Sequence, residues 1–299
     1  MHEIRILGAT DTVSTTLLHI MEQCIQTETG AQLLTRLMSR PSLQGLEQIL
    51  FEDGPRQNEV IEISGNLSSG KTLLLTQLLA KCLLPKKYKD IKLNGLCAGA
   101  ILVNTDHHFE ITTLINLMKF TINNAMQTDR LANNLVPPGI IDTIIEDSLC
   151  RLTVVNCYES TQFLLALQSL EYILSNNEKI AMIVIDSISS YYWQDRESGE
   201  AWSMDAYLSN YLKIAQKNII NQKVVLLYTR PSNFISVGKE TTACVSAPEE
   251  DKVNYRIQLK KWENTTEFSA TVHSATNRID LKFTISDEGI KWKLPKVEK

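Results

Sequence analysis

Residues Gly65–Thr72 read GNLSSGKT and match every position of the phosphate-binding loop G-x-x-x-x-G-K-[ST]. Few folds can house that octet. Gly65 and Gly70 let the backbone turn where a side chain would clash, so that successive N–H groups face a phosphate chain. In this pattern the backbone of Asn66, Leu67, Ser68 and Ser69 lines the cradle, Lys71 brings a compact positive charge to the β and γ phosphates, and the Thr72 hydroxyl ligates Mg²⁺. The flanks agree. Residues 59–64 alternate as a strand does, and 71–84, rich in Leu and free of Gly and Pro, read as a helix whose N-terminus faces the anion. The octet is read as a nucleotide site and not as a chance Ser/Gly turn.

From residue 59 the chain alternates strand and helix. Strands are expected at 59–64, 100–105, 152–157, 180–186 and 223–229, and helices at 71–84, 110–125, 160–175 and 205–221. The strands are near-continuous apolar runs (AMIVID, VVLLY), the mark of buried parallel strands, and the alternation implies an α/β fold with a mostly parallel sheet flanked by helices. Its ligand belongs at the carboxyl ends of the strands. Residues 231–252, with Pro231, Gly238, Pro248 and the acidic run 249–251, read as a long loop. Residues 255–262, 267–273, 279–286 and 290–294 then form an antiparallel meander closed by the turn at 287–289. Upstream, 28–58 carries Leu33, Leu34 and Leu37 at helical spacing before a Pro41 break. The expected organisation is an extension over 1–27, a small helical cap over 28–58 and the nucleotide-binding core over 59–299.

Two further strand ends complete the site. Asp186, at the end of the apolar strand 181–186, is placed to hold the Mg²⁺ shell beside Thr72. Asp106 closes the strand 101–106, where one class of NTPase keeps the carboxylate that activates water; the alternative is a helix N-cap before 110–125. His107 and His108 either line the pocket or make a polar turn. The strand ending at Thr229 is followed by Arg230-Pro231, where a hydrolysis-sensing amide is expected, and proline has no side-chain donor. Arg230 is either a phosphate contact or a surface charge.

Composition removes other classes. With 299 residues and a net charge of −4, the chain is not a strongly basic nucleic-acid binder, so DNA contact must be local or shared with a partner. Six cysteines (24, 82, 97, 150, 157, 244) lack a C-x-x-C pair or zinc-spaced histidines and read as free thiols. No apolar run nears the roughly 18 residues a membrane span needs, and Glu3 and Asp11 spoil a signal peptide, so no membrane partner and an intracellular chain are expected.

GNLSSGKT, the strand ending Asn104-Thr105-Asp106, the strand ending Asp186-Ser187 and the late strand before a long loop together resemble the RecA-like P-loop NTPase core. Ring-forming AAA enzymes and nucleotide kinases fit less well. The stretches 28–37, 81–86, 160–174 and VIDSISSYYWQDR (184–196) are similar to the RecA-family recombinase paralogues of eukaryotes, over roughly residues 28 to 262. That resemblance implies ATP as the nucleotide, a nuclear role in homologous recombination, and a hetero-oligomer with other recombinase paralogues that meets single-stranded or branched DNA through the complex. Two departures favour ATP binding over efficient hydrolysis. Asp106 stands where the parent recombinases keep Glu, drawing the carboxylate back by about 1.5 Å, and Pro231 replaces the switch amide. A subunit that assists filament assembly, at most a weak DNA-stimulated ATPase, is set against a true DNA-stimulated motor and, more remotely, a small-molecule kinase.

The aromatic run Tyr191-Tyr192-Trp193 invites base stacking, but Asp195, Glu197 and Glu200 beside it would repel phosphate, so packing or a partner interface is the reading taken. Lys86, Lys87 and Lys89, with Lys260 and Lys261, are the better phosphate candidates, against the alternative of a solvated face.

Overall fold

A computed structural model describes residues 6–7, 29–30, 40–89, 91–129, 139–199, 203–232, 253–262 and 267–293. In chain order the elements are β1 (Ile6–Leu7), β2 (Val60–Gly65), α1 (Lys71–Leu83), β3 (Lys87–Tyr88), β4 (Ile91–Lys92), β5 (Gly99–Asn104), α2 (Ile111–Asp129), α3 (Ile140–Leu149), β6 (Leu152–Asn156), α4 (Ser160–Ser175), β7 (Ile180–Asp186), α5 (Tyr192–Glu197), α6 (Met204–Ile219), β8 (Val225–Pro231), β9 (Tyr255–Lys261), β10 (Phe268–Ser274), β11 (Arg278–Ser286) and β12 (Gly289–Lys293).

One sheet takes all but β3 and β4, in the order β1-β6-β5-β7-β8-β2-β9-β10-β11-β12. Every pairing from β1 through β9 is parallel, and β9 to β12 run antiparallel, so the expected mostly parallel sheet with a C-terminal meander is the fold. The meander is not a separate appendage. Its first strand, β9, lies parallel against β2, the strand that leads into the phosphate loop, with Gly65 opposite Leu259.

The strands are apolar on both faces because both faces are covered. Ile61, Ile63, Leu102, Val184 and Leu227 turn toward α1, α2 and α3, where Leu74, Leu78, Leu114, Met118 and Ile144 meet them. Ile101, Val103, Ile183, Ile185 and Leu226 face α4 and α6, packing on Phe163, Leu167, Leu170 and Ala215. Among the described residues no helix is long and apolar enough to cross a membrane.

Residues 40–58, the greater part of the stretch read as a helical cap, run in turns that bury Leu43, Leu46, Leu50 and Phe51. Of the extension 1–27 only β1 is described, as an edge strand beside β6. Residues 31–39 and 233–252, the latter most of the long loop, lie outside the described residues.

Arg40 is the rivet of this end of the sheet. Its buried guanidinium donates to the carbonyls of Leu174, Asn177 and Ile180 and to Gln222 Oε1, at 2.7–3.0 Å. It thereby joins the end of α4, the start of β7 and the approach to β8. Arg40→Ala removes all four of these charge-assisted hydrogen bonds, although the Leu174 and Asn177 carbonyls keep the N–H groups of Asn177 and Ile180. With each lost bond worth about 1–3 kcal/mol, it should lower the thermal midpoint by about 5 °C or more. Arg40→Lys should recover only part, since an ammonium lacks the planar fork; melts followed by circular dichroism check both.

Candidate functional site

The strand order places β8 between β2 and β7, so the carboxyl ends of β2, β8, β7 and β5 stand in a row. Register fixes who meets whom: Gly65 lies opposite Pro231 and Leu259, and Asp186 opposite Asn104. The loop after β2 needs its glycines. A Cβ on Gly65 would sit 2.4 Å from Ser69 Oγ and 2.7 Å from the Leu259 carbonyl, and Gly70 caps α1 with φ of 92°. The loop's tight path therefore depends both on its own sequence and on β9.

Lys71 Nζ donates to the carbonyls of Gly65 and Asn66, at 3.1 and 3.0 Å. Burial lowers its pKa, while the carboxylates of Asp186 and Asp106 pull the other way. Thr72 Oγ1 donates to Asp186 Oδ2 at 2.9 Å, and Thr229 donates to the other oxygen. Asp186 is 2% exposed, and burial raises its pKa even against those two hydrogen bonds; Asp106 adds to the rise. A buried carboxylate held beside a loop hydroxyl is a poor resting place for negative charge and a good seat for a hydrated cation.

Asp106 sits next door. The N–H groups of Thr105 and Asp106 both donate to the Asp186 carbonyl, at 2.8 and 3.0 Å. Its side chain accepts from Ser190 Oγ, and it lies before the start of α2, where Thr113 and Leu114 N–H bond to the Glu110 carbonyl. His107 Nε2 lies 2.8 Å from the Cys157 carbonyl and its ring stacks on Tyr158, so it fastens the turn after β5 to the end of β6.

Arg230 is not a surface charge: it is largely buried against a carboxylate. Its Nε lies 3.0 Å from Glu62 Oε2, and the same carboxylate oxygen accepts from Tyr228 Oη at 2.7 Å. This ion pair sits on the α4–α6 side of the sheet, because Glu62 and Tyr228 alternate with Ile61, Ile63 and Leu227 on the other. Burial, then Glu62, drives the Tyr228 hydroxyl pKa well up. Beyond Pro231, Ser232 supplies what proline lacks: its N–H donates to the Gly65 carbonyl at 3.1 Å and its hydroxyl to Asn66 Oδ1.

The aromatic run divides. Tyr191 and Tyr192 are buried, Tyr191 Oη donating to the Cys157 and Thr105 carbonyls, while Trp193 is half exposed with Arg196 5.4 Å above its ring. Asp195 is buried and accepts from Tyr207 Oη at 3.1 Å, so it packs as part of the cluster. Lys86, Lys87 and Lys89 belong to the β3–β4 hairpin region at the far end of α1 from the phosphate loop, roughly 20 Å away along the helix. Cys82 and Cys157 are buried free thiols whose pKa burial pushes to about 12, which keeps them inert.

The donor set suits a nucleotide with Mg²⁺. The backbone cradle has no room for a Cβ at Gly65, a lysine stands at its mouth, and one hydroxyl plus one carboxylate meet beside it. Mg²⁺ is commonly held by so few protein groups, with phosphate and water completing its octahedron.

No protein-family model matches the chain. The mouse DNA repair protein XRCC2 is 30% identical over 266 residues, which cover 85% of this chain and 88% of the mouse protein. The DNA repair protein XRCC2 homolog of Arabidopsis thaliana is 25% identical over 190 residues, 57% of this chain and 51% of the plant protein.

Proposed function

The chain belongs to the family of the DNA repair protein XRCC2, and from that premise we propose that it is an ATP-binding recombinase-paralogue subunit of a nuclear complex for homologous recombination. In this reading it joins other RecA-family recombinase paralogues and assists assembly or stability of the recombinase filament at double-strand breaks. The observation that carries the nucleotide part is the meeting of Lys71, Thr72 and Asp186 at one sheet edge. Lys71 and the N–H groups of the loop would hold the phosphates, and Thr72 with Asp186 would hold Mg²⁺. The bound metal's charge offsets that of the phosphates.

Binding without efficient turnover has its own support. Asp106 is one methylene shorter than the glutamate of the resembling recombinases, and Ser190 already occupies one of its oxygens. A carboxylate so engaged is badly placed to take a proton from water. Pro231 brings no side-chain donor to the neighbouring strand end, and the Ser232 donors that follow it are already bound to the Gly65 carbonyl and Asn66 Oδ1.

The purified chain should melt higher in Mg·ATP, by up to about 2.7 kcal/mol of stabilisation when ligand is a hundredfold above its Kd. Its ATP turnover should stay within a few-fold of the basal rate when single-stranded DNA is added, alone or with co-purified paralogues. An unmoved melting point would sink the ATP-binding reading, and a steep rise in turnover with DNA would replace the assembly subunit by a motor.

A further inference from the structure

The four-stranded meander has a second face that the nucleotide site does not use. Ile257, Leu259, Ala270, Val272, Leu281 and Phe283 point into the core, so their alternate neighbours point the other way. Register then assembles rows across that outer face. Lys260 lies opposite Ser269, Ser269 opposite Lys282, and Lys282 opposite Lys293. A second row runs Arg256, His273, Arg278. The indole of Trp262, 60% exposed, reaches over the first row and donates from Nε1 to Ser269 Oγ at 3.3 Å.

The chain as a whole carries a net charge of −4, yet cations dominate here. The acids of this face are engaged: Glu267 with Lys293 at 2.9 Å, and Asp280 with Thr271 Oγ1 at 2.7 Å and Arg278 at 3.4 Å. The local field registers on His273, whose pKa is lowered first by burial and then by Arg278, with Arg256 adding and Asp280 opposing. Like charges set directly opposite, as Lys282 and Lys293 are, weaken a sheet, so nothing in the fold itself calls for this arrangement.

We infer that the outer face of β9–β12 is a docking surface for single-stranded nucleic acid, with Lys260, Lys282 and Arg256 on phosphates and Trp262 under an unpaired base. Charge complementarity selects a polyanion. The exposed indole beside the lysine row selects one with free base faces, because stacking on aromatics between basic groups is how single strands are gripped without sequence preference. A duplex presents no such faces, and an acidic peptide offers charge without them. Lys260 and Lys282 stand about 10 Å apart across β10, two strand spacings, which lets a strand cross the sheet touching both. Only the identity of the polyanion rests on the repair reading.

The test uses the full-length chain and a fluorescent oligothymidylate of about 20 nucleotides, with binding followed by polarisation between about 50 and 200 mM salt. Lys260→Glu combined with Lys282→Glu should weaken binding at least tenfold, and the slope of log K against log salt should fall by about 1.4, near 0.7 for each phosphate no longer neutralised. Trp262→Ala should weaken it by about tenfold. Lys179→Glu with Lys217→Glu, an equal change of charge elsewhere, should have little effect. Lys260→Gln with Lys282→Gln, at an unchanged melting point, excludes misfolding as the cause of the loss. Failure of the full chain to bind at low salt overturns the proposal, as does equal weakening by the control pair. A polyglutamate peptide that binds through the same lysines as tightly as the oligonucleotide also overturns it, in favour of an acidic protein partner. Retention of the Mg·ATP melting shift in these variants separates this surface from the nucleotide reading.

Discussion

Lys71→Ala is expected to lower affinity for Mg·ATP by about a hundredfold or more, the equivalent of about 3 kcal/mol. The ammonium is held at the loop by the Gly65 and Asn66 carbonyls and shares its surroundings with two carboxylates, Asp186 and Asp106. A triphosphate brought there without it adds negative charge to a site that already holds two acids. Removing one partner of a buried charge pair costs on the order of 3–5 kcal/mol, most of it the penalty left on the other partner. The ligand-free fold should hardly notice, because Lys71 is itself destabilised by burial, and the loop's path is set by Gly65 and Gly70. Isothermal titration of the variant with Mg·ATP, beside an unchanged ligand-free melt, checks the prediction. Affinity within threefold of the parent would mean that Lys71 does not meet the phosphates. Complementation of recombination-deficient cells then asks a separate question: a variant that binds no ATP yet restores repair would show that the nucleotide is dispensable to the subunit's task.

Much of this site is written locally and is readable for that reason. GNLSSGKT demands a strand before and a helix after, and β2 and α1 begin and end within a residue or two of the expectation. Asp186 closes an apolar run that could only be a buried strand, and burial on both faces is what its residues show. The helix Ile140–Leu149 escapes a sequence reading because Pro137-Pro138-Gly139 punctuates the chain as a loop, although its apolar positions 140, 141, 144 and 145 repeat at helical spacing. Other features depend on pairings between distant segments, which no window of sequence displays. Glu62 looks like the polar side of a half-exposed strand; only its alignment with β8, which sets Glu62 opposite Tyr228 and Ser64 opposite Arg230, makes it a buried ion pair. Thr229, Ser190 and Ser232 are ordinary hydroxyl residues until β8 and the turn after β7 bring them to Asp186, Asp106 and Asn66. The parallel seating of β9 on β2 is likewise a long-range choice, and it is what closes the loop's back at Gly65.

Asp186→Asn should make the ligand-free protein more stable at neutral pH while abolishing the part of the ATP-induced shift that depends on Mg²⁺. Burial raises the Asp186 pKa above its unfolded value, with Thr72 and Thr229 only partly offsetting the rise. A group with a raised folded-state pKa favours the fold while protonated, below its unfolded pKa, and that contribution is lost as pH rises through the folded pKa. At pH 7, where the unfolded side chain is ionised, burying this carboxyl therefore carries a free-energy cost in the ligand-free fold. Asparagine has the same shape and no charge, and its amide can still bond both threonine hydroxyls once they rotate. The gain should be on the order of 1 kcal/mol, a rise of about 2–4 °C in the melting point, and it should vanish as pH falls below the ordinary carboxylate range, where the parent side chain is neutral too. Melts from acid to neutral pH, with and without Mg²⁺ and ATP, read every part of this. A variant less stable than the parent at pH 7 would mean that the carboxylate's bonds to Thr72 and Thr229, together with the pull of Lys71, outweigh its desolvation. A Mg²⁺-dependent shift that survives the substitution would move the cation away from the end of β7.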